Sequence, residues 1–206
     1  MRKLIRKLSD MRGISGFEYR LTDRIADMFK KYCDDVKIDS LGSVIAVKRC
    51  NKPNAPKLMI EAHCDEIGLI VTSITDEGYL TFANVGGVDE RTLPSTEVTV
   101  HGKEDLWGVI GIKPNYLLEQ GKTAKLKELA VDTGLSAEKV KKLAAVGDSI
   151  TLAQSVGRLG KKQFSGKSLD DRASVAAIMR VMKNIKDLDI DIDVYAVAAV
   201  REEVCC

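Results

Sequence analysis

The sequence has no long apolar run, and this absence limits where the protein can reside. A membrane-spanning helix needs roughly 20 apolar residues, and no stretch of the chain approaches that length. The opening residues have the basic start of a secretory signal, but Arg6, Lys7, Ser9 and Asp10 interrupt the apolar core that a signal requires. We therefore expect neither a membrane span nor a signal peptide, and a cytoplasmic location is the default prediction.

Cysteine pairs with regular spacing are also absent. The chain has five cysteines, which is an odd number, and Cys33, Cys50 and Cys64 show no CxxC spacing. This pattern argues against a disulfide framework and against a structural zinc knuckle. Cys205 and Cys206 are adjacent residues, which fit disulfide geometry poorly.

Charge of one sign is nowhere concentrated. The 32 basic and 30 acidic residues are interspersed, so no basic face is predicted for nucleic acid or for an anionic membrane. What the chain does have is 206 residues, of which 45% are hydrophobic and 30% charged. That composition is typical of a globular protein rather than a disordered one.

The apolar pattern changes twice along the chain. Helical spacing marks the start, with a glycine turn between two helices, and it returns after Gly166. Short β-prone runs without intervening helices fill the middle, which indicates a small β-barrel or sandwich. A short helix capped by Ser136 is predicted within it. The almost continuous apolar run from Ile192 to Val200 predicts a strand buried on both faces of an α/β sheet. The fold class is therefore α/β with an all-β insertion.

Three short acidic motifs occur at predicted strand or helix ends, where α/β sheets place their binding sites. They are His63-Cys64-Asp65, Leu169-Asp170-Asp171-Arg172 and Glu202-Glu203. An imidazole and several carboxylates could hold divalent ions, and a two-metal site needs a bridging carboxylate, for which Asp170 is the natural candidate. Zinc, cobalt and manganese all suit such ligands.

Strand geometry refines these assignments. Alternate side chains share a face, so His63 and Asp65 point together and Cys64 is predicted to enter the core. Asp65 could then accept the second ring N–H of His63. Glu202 and Glu203 can serve one site only if their strand ends or bends before them.

Each motif taken alone has a structural explanation that is more common. A histidine among apolar residues is usually a hydrogen-bonded core residue, an Asp-Asp pair often caps a helix, and a Glu-Glu pair is usually solvated. For His101 we retain this structural interpretation.

Six segments in order resemble the tetrahedral aminopeptidases, also called glutamyl or deblocking aminopeptidases, some of which were labelled endoglucanases. The segments are Gly13-Ile14-Ser15-Gly16-Phe17-Glu18, Glu61-Ala62-His63-Cys64-Asp65-Glu66-Ile67-Gly68-Leu69, Gly108-Val109-Ile110-Gly111-Ile112-Lys113-Pro114, Val146-Gly147-Asp148, Ser168-Leu169-Asp170-Asp171-Arg172-Ala173 and Arg201-Glu202-Glu203-Val204. The resemblance implies a mixed-sheet catalytic domain of a di-metal peptidase, formed by residues 1–66 and 160–206. Residues 67–159 would form an inserted barrel-like dimerisation domain.

The same resemblance implies roles for individual residues. Two divalent ions, most often zinc or cobalt, would be held by His63, Asp170 and Glu203, with Asp170 as the bridge. Glu202 would be the general base that takes a proton from a metal-activated water, and Asp65 would orient His63. The bond between Asp170 and Asp171 would be a cis peptide. Peptides would be the substrates, and the family's usual assembly is a tetrahedral dodecamer built from dimers.

The chain departs from the family pattern at its end. Family members continue past Glu-Glu-Val to a further aspartate and a histidine that bind metal. The chain is therefore expected to correspond to the N-terminal part of a family member, with an incomplete catalytic domain. Three hypotheses follow: part of an active aminopeptidase, a non-catalytic subunit that associates through its β domain, or an endoglucanase that uses Glu202 and Asp65 as its carboxylate pair.

Overall fold

The computed structural model describes residues 1–112 and 124–204, and these form two compact units. The first unit comprises Met1–Glu66 and Ser155–Cys206, and the second comprises Ile67–Gln154. Lys113 and Pro114, which end one of the motifs, and the adjacent cysteines Cys205 and Cys206 lie outside the described residues. Within the described ranges, no helix combines the length and the apolar character needed to cross a bilayer.

The first unit is an α/β unit. Its helices are α1 (Arg2–Ser9), α2 (Tyr19–Phe29) and α4 (Leu169–Ile185), and its strands are β1 (Asp35–Ile38), β2 (Val44–Lys48), β3 (Lys57–His63), β10 (Gly157–Leu159), β11 (Gln163–Ser165) and β12 (Asp193–Ala199). The two helices predicted at the start of the chain and the helical segment predicted after Gly166 are therefore confirmed.

A four-stranded mixed sheet organises this unit, in the order β1-β2-β12-β3. β12 pairs antiparallel with β2 and parallel with β3. The apolar faces of α2 and α4 pack on the sheet through fully buried side chains such as Ile25, Phe29, Met179 and Met182. This burial is the main source of stability for helices of this length.

The parallel pair matters most for function because it brings two strand ends together. In its register, Ala199 lies opposite His63, and the Cys64 amide donates to the Ala199 carbonyl at 2.8 Å. The residues that follow β3 and β12 therefore start from one edge of the sheet.

The prediction that β12 is buried on both faces was only half right. Val194, Ala196 and Ala198 are buried, whereas Tyr195 and Val197 are only partly covered. The buried residues face the core that α2 and α4 share with the sheet. An apolar run alone cannot show that only one of its faces is fully covered.

The second unit is a closed barrel, which decides between the two predicted all-β folds. Its strands follow the order β4-β5-β8-β7-β6-β9, and β4 pairs with β9 to close it. Their bounds are β4 (Gly68–Ile74), β5 (Leu80–Val85), β6 (Glu97–His101), β7 (Asp105–Ile112), β8 (Leu129–Asp132) and β9 (Ser149–Leu152). Alternate side chains of these strands fill the barrel, among them Val98, Val100, Ile110, Val131 and Ile150.

The short helix predicted in the barrel segment is present as α3 (Ala137–Leu143), but its predicted cap is not. The Ser136 side chain makes no capping hydrogen bond. Val140 anchors the helix in the barrel core, fully buried. Packing of Val140, and not the expected cap at Ser136, therefore stabilises this helix.

The boundary predicted between residues 159 and 160 falls instead between 154 and 155. β10 pairs antiparallel with β11, with Arg158 opposite Phe164, and this hairpin belongs to the first unit. The sequence pattern did not distinguish a three-residue hairpin strand from the last strand of the barrel. The catalytic and dimerisation roles of the two segments remain predictions.

Candidate metal and catalytic site

His63 is the last residue of β3, and its ring is almost enclosed, with 10% of the side chain exposed. Its Nε2 atom lies 3.3 Å from Asp170 Oδ1 and 3.8 Å from Glu202 Oε2. Cys64 points into the core and is fully buried, as predicted, and burial raises the pKa of its thiol to about 12. The neutral Cys64 thiol is thus part of the packing beneath the site.

Glu202 and Glu203 reach the same place because the strand before them stops. β12 ends at Ala199, Arg201 has a positive φ of 62°, and Glu202–Val204 form a 3₁₀ turn. The strand therefore ends before the two glutamates, as we expected if both were to serve one site.

Asp170 approaches His63 from the start of α4. The bond between Asp170 and Asp171 is a cis peptide, as the family resemblance implied. Both residues have non-helical backbone angles, so the regular helix begins only after them. The Asp170 side chain is 91% exposed, which leaves its carboxylate accessible beside the ring.

Three of these side chains satisfy the distances of a metal-binding group. Ligand atoms of His63, Glu202 and Glu203 all lie within 4.8 Å of one another. Asp170 touches His63 but does not belong to this group, whereas Glu202, the predicted base, does. The group therefore differs by one residue from the ligands that the resemblance implies.

Electrostatics within the cluster favour a cation. Burial raises the pKa of Glu203, His63 opposes this, and the carboxylates of Asp65, Glu202 and Asp170 raise it further. Carboxylates that repel one another beside an imidazole are the environment that a divalent ion relieves. The donors present thus fit a divalent cation.

Asp65 is completely buried and joins the strand end to the glutamate turn. Its Oδ2 accepts the Ser15 hydroxyl at 2.5 Å and the Glu203 amide at 3.2 Å, and its Oδ1 accepts the Glu202 amide at 3.2 Å. His63 Nδ1 lies 3.5 Å from Oδ1 and has no hydrogen-bond partner within the described residues. That separation exceeds an ordinary N–H···O bond. The orienting role of Asp65 therefore remains a prediction.

A second buried network, which sequence reasoning missed, lies beneath these residues. Arg172 is fully buried, and its guanidinium lies 3.3 Å from Glu66 Oε1. Glu66 in turn pairs with Lys167 Nζ at 2.6 Å and accepts the Ser168 hydroxyl. The Arg172 guanidinium also donates to the backbone carbonyls of Leu8, Ser9, Met11, Gly13 and Cys64. Glu66 and Arg172 stand inside two of the recognised motifs, but adjacency in sequence did not reveal their pairing.

The same network fixes the loop after α1. The Gly13 amide donates to Glu66 Oε1 at 3.0 Å, and a Cβ atom at Gly13 would lie 2.7 Å from Leu21 Cδ2. A side chain at this position would therefore crowd Leu21, which glycine avoids. The loop thereby brings Ser15 against Asp65.

Comparison with known proteins agrees with these features. Residues 42–206 match the family described as M42 glutamyl aminopeptidase. The chain is 34% identical to a lysyl aminopeptidase of Pyrococcus furiosus, over 98% of the chain and 59% of that protein.

Solved structures give the same picture. An aminopeptidase of Desulfurococcus kamchatkensis is 37% identical with a TM-score of 0.92, over 98% of this chain and 56% of that one. The TET1 peptidase of Pyrococcus horikoshii, which can assemble into a tetrahedron or a large octahedral shell, is 34% identical with a TM-score of 0.87, over 99% and 62%. A Thermotoga maritima protein named as an endoglucanase is 33% identical with a TM-score of 0.82, over 97% and 59%.

The chain thus spans less than two thirds of the length of each of these relatives. The family match nevertheless covers most of the chain and includes His63, Asp170, Glu202 and Glu203. On this evidence the chain belongs to the M42 glutamyl aminopeptidase family.

Proposed function

We propose that the chain carries metal ligands and the general base of a metal-dependent aminopeptidase, which removes N-terminal residues from peptides. The observation that supports this most directly is the group formed by His63, Glu202 and Glu203, with Asp170 beside it. Family membership gives the reaction class, and the geometry supplies ligands of the right chemistry.

His63, Asp170 and Glu203 would hold the metal, with Asp170 as the bridge between two ions, most often zinc or cobalt. A bound divalent ion would supply a lowered pKa for water and polarisation of the scissile carbonyl. His63 offers Nε2 toward Asp170, and the carboxylates of Glu203 and Asp170 are close enough for their charges to interact. These side chains thus provide a nitrogen donor and oxygen donors at one edge of the sheet.

Glu202 is the proposed general base. Its carboxylate lies 3.8 Å from His63 Nε2 and is about half exposed, so a substrate could approach it. Glu202 would accept a proton from the attacking water and return it to the nitrogen of the leaving amine. Its backbone is fixed by the bond from its amide to Asp65, which holds the carboxylate near the ring.

The endoglucanase hypothesis fits this geometry less well. It needs two accessible carboxylates on either side of a sugar bond. Asp65 is fully buried and its two oxygens accept hydrogen bonds from Ser15, Glu202 and Glu203, so it cannot contact a sugar. Metal chemistry at His63 is the better-supported alternative.

The partners of the site are proposed from the family. Peptides are the proposed substrates. Homo-oligomers built through the barrel unit are the proposed assembly, since the related TET1 peptidase can assemble into a tetrahedron or a large octahedral shell. The remaining hypothesis is that the chain associates through the barrel without catalysing a reaction. The hydrolysis assay described next distinguishes this hypothesis from the aminopeptidase.

The test is hydrolysis of aminoacyl-nitroanilides by the purified chain, with added zinc or cobalt and with a chelator. We expect hydrolysis that requires metal and falls by about 10²–10⁴-fold in Glu202→Gln, the usual contribution of a general base. Glu138→Gln, in the exposed first turn of α3, is the matched control and should leave the rate unchanged.

Absence of hydrolysis with metal present would favour the non-catalytic subunit. Cellulose cleavage that survives chelation would favour the endoglucanase instead.

A further inference from the structure

Ser15 has no role in the mechanism described so far, yet it makes the shortest contact to Asp65. The Ser15 hydroxyl donates to Asp65 Oδ2 at 2.5 Å, and both residues are buried, with 5% and 0% of their surfaces exposed. A hydrogen bond to a buried carboxylate is among the stronger kinds that proteins form. We propose that Ser15 is a positioning residue, which fixes the Asp65 carboxylate so that Asp65 can hold the Glu202-Glu203 turn against His63.

Asp65 binds the glutamate turn through the backbone. Asp65 accepts the backbone amides of both Glu202 and Glu203, at 3.2 Å each, one on each carboxylate oxygen. Receiving both amides requires one fixed rotation of the carboxylate. If the carboxylate turned about its Cβ–Cγ bond, both bonds would be lost together.

The rotation of the Asp65 carboxylate is fixed by Ser15 and not by His63. His63 Nδ1 is 3.5 Å away and is not hydrogen-bonded to Asp65. Besides the two amides of the glutamate turn, Asp65 receives a hydrogen bond from Ser15, which belongs to a different segment of the unit. Its donor is itself held, because the Ser15 amide donates to the Glu66 carbonyl and Ile14 forms a bridge with Glu66.

Ser15 lies in a loop that is itself held in place. Gly13 packs closely against Leu21, its amide donates to Glu66, and its carbonyl accepts a hydrogen bond from Arg172. The Gly13-to-Ser15 loop is thus attached to the α4 side of the unit through the Glu66 and Arg172 pair. Ser15 transmits that fixed position to Asp65, and Asp65 transmits it to the two glutamates.

The test uses amide exchange, which needs neither metal nor activity. In Ser15→Ala, the amides of Glu202 and Glu203 should exchange about tenfold faster relative to core amides of α4, since one hydrogen bond to a charged group is worth roughly that factor. Ser9→Ala is the matched control, because Ser9 is also a buried serine of the first unit, with its hydroxyl donating to the Lys167 carbonyl. Ser9→Ala should leave the relative exchange at Glu202 and Glu203 unchanged.

Equal exchange in the two variants, or wild-type exchange in Ser15→Ala, would overturn the inference. Should Ser15→Ala not fold, Ser15→Cys replaces it, because a thiol of similar size is a much weaker donor. The same local acceleration is expected there, and normal exchange in Ser15→Cys would likewise overturn the inference.

A kinetic measurement then connects Ser15 to the proposed function, on which this part rests. With metal saturating, kcat should fall about tenfold in Ser15→Ala with KM little changed, because the glutamate turn and not the substrate pocket is disturbed. A wild-type protein without activity contradicts the proposed function while the exchange result still decides the role of Ser15. An active wild type with unchanged kcat in Ser15→Ala overturns the inference alone.

Discussion

The two units of the chain use buried polar groups in different ways. All the buried charged residues of the described ranges, namely Glu18, Asp65, Glu66 and Arg172, belong to the first unit, whereas the buried polar residues of the barrel in those ranges, Ser149 and Thr151, are uncharged. Burying a charge is costly unless it is paired and hydrogen-bonded. In the first unit the buried charges lie near the edge of the sheet where His63 and the two glutamates meet. This location indicates that they serve a site. The barrel is built for packing.

The comparison can be tested most severely by removing Arg172. Arg172→Met leaves Glu66 with Lys167 as its remaining cation and removes the donor of several backbone carbonyls. We expect a loss of about 3–5 kcal/mol, the usual effect of breaking a buried ion pair. Because every partner of Arg172 lies in the first unit, amide protection should fall there first. Amide exchange resolved by residue gives the measurement.

An equal loss of protection in both units would contradict the contrast between them. Trp107, the single tryptophan, lies on β7 and supplies an independent fluorescence signal from the barrel. Its emission should stay unchanged under conditions in which Arg172→Met has lost protection in α1 and α4.

The barrel should instead respond to loss of apolar volume. Ile110 is 1% exposed within the barrel core, so Ile110→Ala should cost about 2–5 kcal/mol through lost burial and a residual cavity. Denaturant unfolding followed by Trp107 fluorescence measures this cost. An exposed neighbour provides the control, since Ile112→Ala changes a side chain that is 42% exposed and should cost clearly less.

The sequence predicted the longer helices and strands of both units better than the short strands. Periodicity located the main helices and most strands, because apolar spacing reflects which face is buried. Strands β8 and β9, of four residues each, and the hairpin of β10 and β11 were not predicted from the sequence. Such short runs contain too few residues to show a clear alternation of apolar and polar side chains. The choice of a barrel over a sandwich depended on the pairing of β4 with β9, which connects residues far apart in sequence.

The side chains of the candidate site were predicted from the sequence, but the residues that hold them in place were not. His63, Asp170, Glu202 and Glu203 were identified by motif, and the structure brings them together. Ser15 and Arg172 act through contacts with residues tens of positions away, such as the Ser15 bond to Asp65 and the Arg172 bond to Cys64. No local pattern encodes those pairings.

The smallest expected effect concerns the helix cap that the structure lacks. A working Ser cap contributes about 1 kcal/mol, but the Ser136 side chain makes no capping bond. We therefore expect Ser136→Ala to change the free energy of unfolding by less than about 0.5 kcal/mol, as at other surface positions. Denaturant unfolding can resolve this, and a loss near the full value of a cap would show that the cap forms in solution.

We expect the first unit, and not the barrel, to bind a divalent cation. The most direct measurement is calorimetric titration of the chain with zinc or cobalt, and the two histidines of the sequence supply matched variants. His63→Ala should weaken binding at least about 100-fold, since even the outer partners of metal ligands are worth about 10–100-fold. His101→Ala removes a barrel histidine that pairs with Asp105 and Thr151, and it should leave the affinity unchanged. Binding that is absent in the wild type, or that is equal in wild type and His63→Ala, would contradict the account.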